Sequence, residues 1–462
     1  MGKLKRLGVA NDMLAISKAK GLALRRVVPL EDHAEVEGIK HRPDPIAILI
    51  GQDQMRVQQL VPIRHGRMRV SPFAFYRGAA AIMASDLSRG VSTNICVQLG
   101  GDAHLANFGL FNGADRRLVF DVNDFDETAP GPFEWDLKRL ATSVTIAAQG
   151  LNLPIKKIGS ATRAAVRGYR ETMGQAILIS PLDLHYFRLE VDSLLNEVGH
   201  KEQKQAKKTI AKASRKTSLR ALDKLTEVVN GQRRIVADPP VIVRIDDSLE
   251  SIGRERLEEF FDAYLATLAP HRAAVIRRYR FVDMAHKIVG VGSVGTRCFI
   301  LLLESDQGEP LFMQFKEATQ SVLEPYVGDA GFAQAGERVV RGQRLMQSTG
   351  DILLGWSSYK RENGSRADFY IRQLWDGKGS ANIDSMTSDE LKRYASHCGK
   401  ALALAHARTG DAAMISGYLG DDETADYVLA DFADRYADLN VADHADHERA
   451  IDTGRLSAKS DC

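Results

Sequence analysis

Asp102, His104 and Asn107 fall in one short loop, Gly100-Gly101-Asp102-Ala103-His104-Leu105-Ala106-Asn107-Phe108-Gly109. A second acidic cluster, Asp121-Val122-Asn123-Asp124-Phe125-Asp126-Glu127, follows the apolar run Leu118-Val119-Phe120. A carboxylate and an amide in one loop suit a general base and a metal ligand, and a carboxylate at the end of the next strand suits a second metal contact. Spacing leaves Asp121 and Asp124 both open as that second ligand.

The elements that must position these groups are legible around them. Ile95-Cys96-Val97-Gln98-Leu99 reads as a strand delivering the chain into the loop. After the break at Pro130-Gly131-Pro132, Leu137, Leu140, Ala141, Val144 and Ala148 recur at helical spacing. Asp136, at the start of that helix, can cap it or anchor the loop from below. Upstream, Ser71 is an N-cap candidate with Pro72 at the first helical position, and Phe75, Ala79, Ile82 and Met83 then share a face. Arg67, Arg69 and Arg77 can meet an anionic ligand, although a solvated basic edge is the plainer reading.

A second chemical constellation lies far downstream. Gly290-Val291-Gly292-Ser293-Val294-Gly295 separates two apolar, strand-like runs, and Leu311-Phe312-Met313-Gln314-Phe315-Lys316 is a further strand ending in lysine. A dinucleotide fold needs a helix straight after the glycines, whereas here a strand follows. Strand, glycine loop, strand and then a lysine-bearing strand is the protein-kinase order, in which loop and lysine grip nucleotide phosphates. That lysine pairs with a glutamate on the next helix, for which Glu324 ranks ahead of Glu337. The plainer alternatives are a hairpin with bulge-forming glycines and a surface lysine.

Composition narrows the classes. Lys plus Arg (62) nearly balances Asp plus Glu (60), giving a net charge of +2 and no argument for nucleic-acid binding. Four singly scattered cysteines fit a reducing cytosol. No apolar run approaches the ~18 residues of a membrane span, and the basic start lacks the apolar stretch of a signal peptide. Residues 197–234, including Lys201, Lys204, Lys207, Lys208 and Lys212, read as an exposed helical hairpin. Asp376-Gly377-Lys378-Gly379 is a hinge candidate, and Thr387 to Glu390 is a capping box opening a long helix. Beyond Gly420 the acidic sequence reads as a helix fraying into a disordered end, with Ala442-Asp443-His444-Ala445-Asp446-His447 a weak metal signal.

The loop resembles the phosphate-transfer loop of the aminoglycoside phosphotransferase and choline kinase group, with Gly100 where that group has histidine. Val122-Asn123-Asp124-Phe125-Asp126 and Gly131-Pro132 with Trp135-Asp136-Leu137 follow in the group's order. Between Arg67 and Gly420 the chain is similar to a widespread bacterial family of uncharacterised proteins with a presumed kinase-like fold. The phrases that carry this are Ser71 to Gly78, Gly101 to Gly109, Asp124 to Thr128 and Ala405 to Asp411. The resemblance implies that Asp102 is the catalytic base, that His104 orients the loop, and that Asn107 and Asp124 (or Asp121) bind Mg²⁺. Gly290, Gly292, Ser293, Gly295, Lys316 and Glu324 would bind ATP.

The expected fold is α+β, a protein-kinase-like two-lobed fold that is circularly permuted, because the glycine loop and lysine follow the catalytic loop. Residues 1–90 form a lead-in and helix, and 91–284 a helical catalytic lobe. Residues 285–380 form a β-rich nucleotide lobe, and 381–462 are helices completing the helical lobe. Permutation is feasible where chain ends lie close together at the surface. The expected activity is ATP- and Mg²⁺-dependent phosphate transfer to a small-molecule or protein hydroxyl, in the cytoplasm. AMP transfer, a non-catalytic nucleotide-binding pseudokinase, and a metal-dependent hydrolase using Asp102, His104, Asp121 and Asp124 are the alternatives.

Overall fold

A computed structural model of the protein describes residues 2–36, 41–191, 222, 224–244, 254–288, 290–361, 363–374, 379 and 381–460. The amino-terminal part is helical: α1 (Gly2–Leu24), α2 (Pro45–Asp53), α3 (Val61–Arg69), α4 (Pro72–Gly78) and α5 (Ala80–Leu87). Ser71 caps α4, its hydroxyl accepting the Ala74 amide at 3.1 Å. The single helix expected beyond Ser71 is two, because Ala79 leaves helical geometry where Gly78 comes against Met68. Phe75, Ala79, Ile82 and Met83 are nevertheless all buried.

Strand β1 (Cys96–Leu99) enters the Asp102 loop, and β2 (Phe108–Asn112) leaves it to form a hairpin with β3 (Leu118–Val122). After the acidic cluster, β4 (Ala129–Pro132) returns antiparallel to β1, and α6 (Phe133–Gly150) and α7 (Ile155–Ala176) follow. Helix α8 (Pro181–Tyr186) leads to β5 (Leu189–Glu190), which pairs with β3. The basic segment from Lys201 to Arg220 lies outside the described residues. Its expected hairpin partner is not helical throughout: β6 (Thr226–Val229) and β7 (Gln232–Ile235) form a β-hairpin. Asn230 and Gly231 both have positive φ between them, the signature of an Asn-Gly turn.

Strand β8 (Ile242–Arg244) precedes α9 (Arg254–Ala266) and α10 (Pro270–Ile276), which Pro270 separates. Then come β9 (Tyr279–Lys287), β10 (Cys298–Ser305), β11 (Pro310–Ala318), α11 (Glu324–Val327), α12 (Ala335–Met346), β12 (Gly355–Lys360) and β13 (Arg366–Gln373). Residues 352–354 lie in the turn before β12. The six-stranded antiparallel sheet has the order β12-β13-β11-β10-β9-β8. Strand alternation sends Leu301, Leu303 and Met313 into one core with Tyr264 of α9, and Ile300, Leu302 and Phe312 into another with Ile235 of β7.

The largest core gathers α6, α7 and the carboxyl-terminal helices α13 (Ser388–Ala407), α14 (Ala412–Leu419) and α15 (Thr424–Asp452). The capping box forms as expected, with Thr387 and Glu390 exchanging hydrogen bonds. Past α13, the Thr409 hydroxyl accepts the Gln98 amide at 3.1 Å, so this helix ends beside β1. The acidic end of the chain is not a frayed tail through residue 452. Leu429, Phe432, Ala433 and Tyr436 bury one face of α15. Asp426 takes two hydrogen bonds from Arg170 at 2.9 and 3.0 Å, which neutralises a charge that would otherwise forbid burial. Among the described residues no helix is long and apolar enough to cross a membrane.

Candidate active site

Asp136, in the first turn of α6, fixes the start of the loop. Its carboxylate accepts the Gly100 amide at 2.7 Å and the Gly101 amide at 3.0 Å. Behind it, His406 Nε2 stands 3.3 Å away and His406 Nδ1 meets the Tyr169 hydroxyl at 2.9 Å. Gly101 has φ +81°, and a Cβ there would sit 2.2 Å from the Glu127 carbonyl oxygen. The glycine therefore brings the loop against the second acidic cluster.

Asp102 follows directly. Arg139 Nε donates to its carboxylate at 2.6 Å, and that guanidinium lies 4.3 Å over the Tyr76 ring. Burial pushes Asp102 above the ordinary aspartate range, with Arg139 and Arg77 pulling the other way. His104 is buried and held well below its usual pKa by burial and by the same two arginines. Its Nε2 stands 3.6 Å from Asp102, beyond hydrogen-bond reach, and its Nδ1 meets no partner. Its backbone, however, ties the loop: the His104 amide donates to the Asp102 carbonyl, and its carbonyl accepts the Asn107 amide, each at 2.8 Å. Asn107 Nδ2 also donates to the Asp102 carbonyl at 2.8 Å, leaving the amide oxygen as the side chain's ligating atom.

Asp124, Asp126 and Glu127 line the same cleft as Asp102, facing Gly292, Ser293 and Thr296 of the glycine loop. The cleft encloses about 670 Å³, its open mouth included. Burial and the neighbouring Asp126 charge raise Asp124. Burial raises Glu127 to about 7, although the Val322 amide donates to it at 2.8 Å. Asp126 is lowered, burial being outweighed by Lys316, whose ammonium it pairs with, and by the Tyr370 hydroxyl at 2.7 Å. The Ser293 hydroxyl adds a contact to Asp126 at 3.3 Å.

Lys316 sits on β11, opposite Cys298 on one side and Tyr370 on the other, and is 3% exposed. Its carboxylate partner is Asp126 rather than Glu324 or Glu337. Glu324 stands 3.5 Å from Arg338, and Glu337 bonds Arg341 within its own helix at 3.2 Å. Side-chain direction explains the difference, because α12 turns Arg338 towards the carbonyls of Asp126 and Thr128.

The other expected residues divide. Gly292 and Ser293 reach the cleft, whereas Gly290 and Gly295 shape the loop, with φ of +69° and +93°. The Gly295 carbonyl accepts the Val57 amide at 2.8 Å, and the Gly290 carbonyl bonds Arg67. Asp121 is turned from the cleft to the Val122 amide, and burial raises it to about 6 against the pull of Arg408. The set Asp102, His104, Asp121 and Asp124 is thus not brought together. Asp443, His444 and His447 also part company: they meet Arg42, the Arg69 carbonyl and His65.

Asp126, Arg56 and Arg77 are cleft residues beyond the expected ATP and metal set. Asp126 carried a signal as part of the acidic cluster and Arg77 as a cation able to meet an anion, whereas Arg56 carried none. Among the described residues no three Asp, Glu, His or Cys side chains stand together as a metal cage. Asp124 and Asp126, both lining the cleft, are nevertheless of the ligand type that suits Mg²⁺, which keeps water and takes one or two carboxylates beside substrate phosphates.

No curated protein and no solved structure matches the chain. The family model DUF2252, described as an uncharacterized protein conserved in bacteria, matches residues 56–450, so the chain belongs to that family.

Proposed function

We propose that the protein is an ATP- and Mg²⁺-dependent phosphotransferase acting on a small-molecule or protein hydroxyl, with a circularly permuted, kinase-like two-lobed fold. The observation that carries this reading is the shared cleft, in which Asp102 and Asp124 face Gly292 and Ser293 with Lys316 beside them. The order of elements along the chain supports it as well. The strands run β9, glycine loop, β10, lysine-bearing β11, helix α12 and two further strands, which is the kinase arrangement. The end of α13 beside β1 gives the permuted chain its junction.

Bound Mg·ATP supplies the phosphoryl group and the cation that neutralises its charge. Asp124 and the Asn107 oxygen would hold the metal, and Lys316 would exchange Asp126 for nucleotide phosphate. Asp102 takes the proton from the acceptor hydroxyl, with Arg139 keeping its carboxylate ionised and aimed. The Asp136 bonds to Gly100 and Gly101 keep that base in place. Purified protein should consume ATP and lose that activity in Asp102→Ala and Asp124→Ala; full activity in both variants would overturn the assignment.

A further inference from the structure

Arg77 has no role in the chemistry just described, yet it lines the cleft. It is the penultimate residue of α4, whose capped start and buried Phe75 and Tyr76 hold the helix firmly. The glycine loop rests on its backbone, since a Cβ at Gly292 would lie 3.1 Å from the Arg77 carbonyl. Its guanidinium feels Asp102, Asp384 and Asp124, but its buried Nε meets no hydrogen-bond partner. Arg56 lines the same wall. One of its Nη atoms donates to the Val294 carbonyl at 2.5 Å, and its buried Nε makes no hydrogen bond, standing 4.0 Å from Asp53.

Buried guanidinium N–H groups without acceptors are costly unless a ligand supplies them. Planar donors facing a cleft match phosphate oxygens. Cations held near carboxylates, yet not bonded to them, remain free to take an anion once a metal engages those carboxylates.

We propose that Arg77, backed by Arg56, is the oxyanion site for the transferred phosphoryl group, an arginine supplied in cis between the base and the metal carboxylate. This rests on the phosphotransferase reading, and two measurements separate their failures. With ATP turnover as readout, Arg77→Ala should lower kcat by about 10³-fold or more and raise KM for ATP about tenfold, in step with its loss of tripolyphosphate affinity. Added guanidinium ion should restore part of the rate. Arg77→Lys, which keeps the charge but not the fork, should also lose most of it. Calorimetry with inorganic tripolyphosphate does not require turnover: the parent should bind, and Arg77→Ala should bind at least tenfold more weakly. A parent that binds tripolyphosphate through Arg77 without consuming ATP would sink the phosphotransferase and leave the anion site. Unchanged tripolyphosphate affinity in both arginine variants, or no binding by the parent, would overturn the anion site.

Discussion

Lys316 and Asp126 form an ion pair across 190 residues of chain, and the Tyr370 hydroxyl holds the same carboxylate at 2.7 Å. The pair joins the glycine-loop sheet to the acidic cluster after β3. Breaking a fully buried pair from one side costs about 3–5 kcal/mol. The Asp126 side chain is 24% exposed, which lets water repay part of that cost. Asp126→Asn should therefore destabilise the fold by about 2–4 kcal/mol, read as a drop in urea midpoint. An unchanged midpoint would show that Lys316 finds another partner.

Glu324 and Glu337 offer the matching control. Glu324 faces Arg338 and Glu337 faces Arg341, so neither holds Lys316. Glu324→Gln and Glu337→Gln should keep ATP turnover within about threefold of the parent, whereas Lys316→Ala should lower it by two orders of magnitude or more. A loss in Glu324→Gln comparable to that in Lys316→Ala would restore the glutamate as the lysine's functional partner.

Gly101 tests the loop itself. Its left-handed φ costs about 1–3 kcal/mol for a side-chain-bearing residue, and a Cβ would collide with the Glu127 carbonyl. Gly101→Ala should lower stability by at least that amount and displace Asp102 from the cleft. Gly100→Ala meets the Asp136 carboxylate at 3.6 Å and the Met346 and Val122 methyls at 3.9 Å, all ordinary contacts, and should be tolerated. Equal thermal stability of the two variants would refute the steric account.

Much of this arrangement was legible where it is local. The Gly-Gly-Asp-x-His-x-x-Asn spacing sets a loop by its own backbone bonds, and the Thr387–Glu390 box is a short-range device. Asp136 could be read as an anchor because its helix begins just beyond the break. The Lys316 partner was not legible, since sheet register and the rotation of α12 decide it. Likewise Asp426 looks like tail sequence until Arg170, from α7, is seen to neutralise it. Arg77 was visible as a cation, but only packing separates a solvated edge from a guanidinium facing carboxylates.

Asp102 gives a pH signature. Protonated, it cannot accept the hydroxyl proton, so kcat/KM should fall on the acid side. Burial raises its pKa, placing that limb above the ordinary aspartate value of about 3.9. Arg139 is the strongest opposing influence. Arg139→Gln should move the limb to higher pH, measured over the range in which circular dichroism shows a folded chain. A limb that stays in place would remove Asp102 from the role of base.

His447 predicts how the fold responds to acid. It is fully buried on α15, with Nε2 2.9 Å from His65 Nδ1, and His65 Nε2 stands 2.8 Å from Asp53. If His65 donates to Asp53, it must accept from His447, whose Nδ1 then has no partner. Burial, reinforced by the His65, His444, Arg64 and Arg69 charges, holds His447 at about 3. The unfolded chain takes up a proton near 6.5 while the folded one does not. Stability from this group is therefore complete above that pH and is lost as pH falls towards 3, by up to about 1.4 kcal/mol per pH unit. Asp443, raised to about 6 by burial, works in the opposite sense and flattens the total. His447→Gln removes only the histidine's share. Its urea midpoint should fall less than the parent's between pH 7 and pH 5, and parallel falls in the two proteins would rule His447 out as the source.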